Sequence, residues 1–372
     1  MPTITALTLV QLWVLIQIVS GMSLATSDSF VAFIKGMSLL VFFVNSLIIL
    51  KDPRNLKLSV YVVIVSAGFQ AAYGSFMVLS GIEYGFFIEK EHYRNVATGT
   101  FINRNHLASY LTMSISIGLG YILSYRDSQS RGWRHTLRNT LAFIISDRFL
   151  IRLVLISLAI GLVLTKSRMG NASFLASLTA ASFIALILMK PRPHLLVKLV
   201  VSLIIIDIAI VGVFFGFDKI AQRIADTSSE TEYRDEMNES SFAMWKDNPL
   251  LGTGAGSFAY VFPQYKVPEY KTQGTTMQAH NDYLQFLAEY GLPAFIALVF
   301  IVINSLRHAL IAMKSRKSDL HRGMGFAALM GILAMAVHAL SDFNLQIPAN
   351  AFMFIFILTL AHIARFGSSS KN

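Results

Sequence analysis

The chain contains no cysteine in its 372 residues. That absence excludes disulfides, thiol catalysis and cysteine-ligated metals, and it is compatible with any compartment. Charge is also scarce, at 14% of residues against 54% hydrophobic ones, and the mean hydropathy is +0.57. A soluble domain carries about a quarter charged residues, so water is not the main solvent of this chain. Strict alternation of polar and apolar residues is missing as well. Runs such as Leu199-Val-Val-Ser-Leu-Ile-Ile-Ile do not alternate, which argues against a transmembrane β-barrel. We find no tandem repeat and no low-complexity tract beyond a short Ser-rich tail.

What is present instead is a series of apolar runs of about 18 to 25 residues, each long enough to cross the hydrocarbon core as a helix. Ten are expected, at 4–25, 30–50, 57–81, 105–125, 149–165, 171–189, 196–217, 291–313, 323–341 and 349–366. The first is too long for a signal-peptide core and lacks a basic start, so it reads as a retained helix. The expected class is an all-α integral membrane protein of about ten transmembrane helices with one large helical periplasmic loop. Its parts are N-terminal helices in 1–217, the loop at 218–290, and C-terminal helices with a cytoplasmic tail in 291–372.

The net charge of +10 falls in alternate loops. Lys51, Arg54 and Lys57, then Arg126, Arg131, Arg134, Arg138 and Arg148, then Lys190, Arg192 and Lys198 lie on one side. Arg307, Lys314, Arg316, Lys317 and Arg322, and the tail's Arg365 and Lys371, complete it. This is the positive-inside pattern, with both termini in the cytoplasm. The loop 218–290 is acidic, with Glu230, Glu232, Asp235, Glu236 and Glu239. Basicity therefore reports topology, and with no aromatic-and-basic module in view it does not imply nucleic-acid binding.

Loop 218–290 is too polar to span and too long for an ordinary connection, which points to function. Within it a helix is expected over 230–246, ended by Asn248-Pro249, followed by a turn through Gly252, Gly254 and Gly256. A second helix should start near His280, run to Glu289 and bend at Gly291 and Pro293 into the next span.

Several residues could carry chemistry. His280 and Asn281 open a helix just outside the membrane, where His is suited to act as a base or to meet an anion. An interfacial His in a capping segment is the plain alternative. Arg168 and Lys166 stand at the outer end of a span, where cations are disfavoured, and an Arg fork suits phosphate oxygens. Their plain alternative is a snorkelling pair. Arg234 is the single Arg of the acidic helix and could simply pair with Glu230 or Asp235. His338 and Asp342, spaced i,i+4, read as sharing a helix face, as a relay or a structural pair, since two ligands are too few for a metal site. Asp207 lies mid-span with no obvious partner. Gly252-Thr-Gly-Ala-Gly-Ser matches neither a P-loop nor a dinucleotide fingerprint and reads as a turn.

Taken together the chain resembles the O-antigen ligase and O-antigen polymerase superfamily of bacterial inner-membrane glycan transferases. The resemblance rests on Arg234 followed by Trp245-Lys-Asp-Asn-Pro-Leu-Leu-Gly-Thr-Gly-Ala-Gly-Ser-Phe, and on His280-Asn-Asp-Tyr-Leu-Gln-Phe-Leu-Ala-Glu-Tyr-Gly. Asn103-Arg-Asn-His-Leu-Ala, which supplies Asn105 and His106 as candidate substrate contacts, and the Ser167-Arg168 turn add to it. The resemblance implies an undecaprenyl-diphosphate-linked glycan as donor, transferred with inversion and without metal or other cofactor at the periplasmic face of the inner membrane. It implies that Arg168 and Arg234 bind the diphosphate and that His280 activates the acceptor hydroxyl, with Lys166, Asn281, Asn105, His106, His338 and Asp342 as substrate-binding candidates. The acceptor assigned first is lipid A-core. A second lipid-linked repeat (polymerase) or a protein hydroxyl (oligosaccharyltransferase) stay open, as does a transporter or flippase outside the enzyme class. Such proteins usually have about a dozen spans, so the N-terminal part is expected to be shorter here.

Overall fold

The computed structural model describes residues 2–124, 147–190, 201, 228–267 and 275–368. The helices are α1 (Pro2–Val19), α2 (Thr26–Ile49), α3 (Pro53–Ser80), α4 (Arg104–Leu123), α5 (Asp147–Leu164) and α6 (Arg168–Leu188). There follow α7 (Ser228–Asp247), the single turn α8 (Phe258–Val261), α9 (Asp282–Ser315), α10 (Asp319–His338) and α11 (Pro348–Phe366). A two-residue antiparallel ladder, β1 (Tyr84–Gly85) and β2 (Ile88–Glu89), is the strand content among the described residues.

Eight of the described helices are long and apolar enough to cross a membrane, and α5 adds a shorter apolar stretch, Phe149–Leu164. The all-α membrane class therefore stands, and nine of the expected spans coincide with helices. The remaining span, 196–217, lies outside the described residues except at 201, together with Asp207 and most of the basic loop after α4.

The helix ends follow from local chemistry. Asp52 accepts the Arg54 N–H at 2.8 Å, Pro53 occupies the first helical position, and Gly81 closes α3 with φ +71°. The expected bend in α9 is present. Gly291 takes φ 73°, ψ 169° and separates the segment beginning at Asp282 from the apolar run that follows Pro293.

The described chain divides into two compact units. The first combines Met1–Ser46, Phe215–Ser305 and Ala336–Ile355; the second combines Leu47–Phe214, Leu306–Met335 and Phe356–Asn372. In the second unit α4 is buried along nearly its whole length. Glycines permit this close packing. A methyl on Gly161 would lie 2.8 Å from the Ala71 Cβ, and one on Gly120 would lie 2.6 Å from that of Ala327. In the first unit the polar loop has a core of its own, built from Met237, Met244, Phe258, Val261, Phe262, Ala279 and Ala288. Met237, Ser241 and Met244 recur at i, i+4 and i+7, which explains why so polar a helix as α7 is held in place.

Candidate functional site

The second unit presents the cationic turn. Helix α5 stops at Leu164, Lys166 adopts φ +52°, and α6 starts at Arg168. Ser167 is the N-cap, its Oγ accepting the Gly170 N–H at 3.1 Å, and its carbonyl accepts the Asn171 side-chain amide at 2.8 Å. Arg168 is exposed and Lys166 half-buried. A guanidinium in the first turn of a helix opposes the macrodipole, so this placement is costly unless an anion meets it. Helix α6 lies tightly on α4 here, because a methyl on Gly170 would fall 2.8 Å from the Ser167 Oγ and closer still to the Ala108 Cβ. On α4, Asn103 caps the helix by accepting the Asn105 N–H at 2.8 Å, Asn105 is half-buried and His106 is buried. Arg104, in the same first turn, lies over the Tyr93 ring at 5.8 Å. The Ala97 N–H donates to the Leu164 carbonyl at 2.9 Å, tying the 82–103 segment to the cationic turn.

The first unit presents the histidine. His280 does not lie in the helix that follows it, because it takes φ +50° immediately before the N-cap. The cap is Asn281, whose Oδ1 accepts the N–H groups of Tyr283 and Leu284 at 3.1 and 3.2 Å. The free N–H groups expected to face an anion beside His280 are thus partly occupied by Asn281. Its amide nitrogen donates to Asn238 Oδ1 at 3.3 Å, one turn along α7 from the half-buried Arg234. Arg234 and His280 are consequently brought to the same region of one unit. Of the two partners expected for Arg234, Asp235 makes no ion pair with it, and the Glu230 side chain lies outside the described residues.

His338 and Asp342 depart from the expected common helix face. Helix α10 ends at His338, and Asp342 lies in the turn beyond it, so the i,i+4 relation never forms. Both are buried at 1% exposure, and the Asp342 carboxylate comes within 3.5 Å of His280 Nδ1. Phe343 packs edge-on against the imidazole at 4.7 Å between centroids. The turn is stitched to the start of α9, since Asp282 N–H donates to Ala339 O and Leu345 N–H donates to Asp282 Oδ2, each at 3.0 Å. The carboxylate contact is a close approach without a hydrogen bond; with the aromatic wall it confines one side of the imidazole and leaves its other nitrogen for a proton transfer.

The glycine turn is a lock. Glu289 accepts the N–H groups of Gly256 and Phe258 at 3.0 and 3.1 Å, and Gln17 of α1 donates to the Leu251 and Glu289 carbonyls at 2.6 and 3.1 Å. Gly252, Gly254 and Gly256 all have positive φ. Near the same loop, Tyr265 donates to Asp247 at 2.9 Å, and burial, that hydrogen bond and the Asp247 charge push its phenol above the ordinary value.

Sequence reasoning missed Lys35. It lies inside α2, and its ammonium donates to the Gln346 carbonyl of the same turn that carries Asp342. A cation within an apolar span is the signal that could have found it.

Residues 153–299 match the O-antigen ligase family. That stretch contains Lys166, Arg168, Arg234, His280 and Asn281, while Asn105, His106, His338 and Asp342 fall outside it. No curated protein matches the chain.

Proposed function

We propose that this chain, whose residues 153–299 match the O-antigen ligase family, transfers a glycan from an undecaprenyl-diphosphate donor to lipid A-core. In this reading it works at the periplasmic face of the bacterial inner membrane. The single observation that carries the proposal is the inclusion of Arg168, Arg234 and His280 in one family-matched stretch. The geometry of each turn supports it. Arg168 and Arg234 offer planar forks for the diphosphate and stabilise its charge as the glycosidic bond breaks. Lys166 adds positive charge beside Arg168. His280, steadied by Asp342 at 3.5 Å, takes the proton of the acceptor hydroxyl as that oxygen attacks the anomeric carbon. Inversion follows from a single displacement, and two guanidinium groups supply the charge that a divalent cation would supply elsewhere.

The decisive measurement is transfer by purified protein in liposomes, with lipid-linked glycan and lipid A-core, followed on gels. Alanine at Arg168, Arg234 or His280 is expected to abolish product while the protein remains folded in the membrane, and full activity in all three variants sinks the proposal. A deletion strain identifies the acceptor. Bare core with accumulated lipid-linked polymer marks a ligase, core capped by one repeat marks a polymerase, and loss of glycan from protein alone marks an oligosaccharyltransferase. Lipid scrambling or solute uptake without transfer places the protein among transporters.

A further inference from the structure

In the second unit the chain leaving α3 folds back along that helix. Phe86 stacks on Phe69 and Tyr73 with centroids 6.3 and 5.6 Å apart, and Phe69 stacks on Tyr73 at 5.8 Å. At about 1.5 Å per residue, Tyr73 and Phe69 lie about 10 and about 16 Å back from Ser80, the last residue of α3. The other end of α3 carries Arg54 and Lys57. A helix needs about 20 residues to cross the hydrocarbon, so a span starting after Lys57 reaches its far boundary near Met77. Any tilt moves that boundary closer to Ser80. The hairpin tip therefore lies at acyl-chain depth instead of beyond the membrane.

Its composition suits that depth. Phe86, Phe87 and Ile88 are 55, 96 and 76% exposed, and they continue an exposed face of α3 that includes Val65, Phe69, Phe76 and Leu79. Two of the hairpin's backbone groups are provided for from α3: the Tyr73 hydroxyl donates to Tyr84 O and accepts the Phe86 N–H, each at 2.8 Å. Lipid supplies no such partners, so one phenol satisfies two groups that would otherwise oppose insertion. The nearest charge, Glu89, is paired with Arg94 at 2.9 Å. The base of the hairpin is fastened where Lys90 Nζ reaches Glu83 at 2.7 Å and Val96 O at 3.0 Å.

We propose that the Phe86–Ile88 tip is embedded among the lipid acyl chains of the leaflet at the Ser80 end of α3. The contact with bilayer lipid continues the lipid-facing surface of that spanning helix. It anchors the 82–103 segment, whose Ala97 N–H holds Leu164 O beside the Lys166–Arg168 turn. This proposal stands independently of the transfer reading.

The absence of cysteine makes the test direct. Full-length Phe87→Cys carries a unique thiol at a site 96% exposed, where a nitroxide label does not disturb packing. The purified protein is reconstituted in phosphatidylethanolamine and phosphatidylglycerol vesicles, and label accessibility to oxygen is compared with accessibility to a nickel chelate. Val65→Cys marks acyl depth on α3, and Glu91→Cys and Arg54→Cys mark water. The label at 87 is expected to prefer oxygen, as at 65, with the reverse at 91 and 54. Preference for nickel at 87 overturns the proposal. Dipolar broadening at 87 that disappears on dilution with unlabelled protein assigns the tip to a second copy of the chain and overturns it equally.

Discussion

Replacing Gly252 by Ala tests whether the glycine turn is a lock between the polar loop and the start of α9. Gly252 has φ +69°, and a methyl there would stand 2.6 Å from both the Glu289 carbonyl carbon and the Gly291 nitrogen. Both neighbours are backbone and cannot rotate away. The left-handed conformation costs an alanine about 1–2 kcal/mol, and forcing a methyl into a filled space costs about 1–3 kcal/mol more. Gly21 provides the control that separates the two contributions, because it has φ +70° and nothing within 4 Å of its added methyl. Gly21→Ala should show the backbone cost alone, and Gly252→Ala should be worse by the packing cost. About 2–4 °C of midpoint per kcal/mol applies to domains of 150–250 residues, so a further loss of several degrees is expected. The assay is the thermal midpoint of detergent-solubilised protein, read as the monodisperse fraction surviving a heat step, with transfer activity measured per folded molecule. Equal losses in the two variants would refute the packing argument. Gly252→Ala that keeps its stability and yet loses transfer would make the turn a ligand contact.

Asp342→Asn should lower the transfer rate about tenfold or more with donor affinity unchanged, because it alters the group beside His280 Nδ1 and leaves the proposed diphosphate contacts alone; an unchanged rate in single-turnover assays removes Asp342 from the mechanism. Burial works to raise the Glu83 carboxyl, but the Lys90 hydrogen bond, the Asn95 N–H and the charges of Lys90 and Arg94 together hold it below its ordinary value. A depressed folded value means that its stabilisation is complete above the free carboxylate range of about 4 and is lost as pH falls through the folded value. Amide exchange in residues 82–96 should therefore be flat from pH 7 to 5 after correction for intrinsic rates and rise below about 4, and Glu83→Gln should erase that rise. His280→Gly should be more stable than His280→Ala by about 0.5–1 kcal/mol, since glycine tolerates φ +50° where alanine does not, while both variants are inactive; a more stable alanine variant contradicts the strain.

The spanning helices were legible because hydropathy sums over neighbours in the sequence, and the bend of α9 because Gly291 and Pro293 are local signals. Helix α7 was legible for the same reason, between a Ser-rich start and Asn248-Pro249. The register of Asp342 was not, because the i,i+4 relation assumes a helix that in fact stops at His338. Nor was the Gln17 clamp on Leu251 and Glu289, whose partners lie 234 and 272 residues away. The aromatic hairpin after α3 escaped notice because two-residue strands leave no periodic pattern, and its fold-back depends on a hydroxyl of Tyr73 within an apolar helix.

The two candidate turns share a construction that no motif spells out. In each, a non-glycine residue with positive φ, Lys166 or His280, is followed at once by a polar N-cap, Ser167 or Asn281, and then by a helix. The remaining non-glycine residues with positive φ among those described, Phe86, Tyr93 and Asn95, all belong to the 82–103 segment that is bonded to the first of these turns. A left-handed residue costs about 1–2 kcal/mol and persists only where its surroundings over-determine it. The caps do that on one side. On the other, Lys166 is held by its N–H to the Val163 carbonyl at 2.9 Å, and His280 by Asp342 and Phe343. If the turns served only to connect helices, glycine would do so at lower cost, as it does at Gly21 between α1 and α2. The presence there of Lys and His, one beside an exposed Arg and the other beside a buried carboxylate, accords with the roles proposed for the two turns.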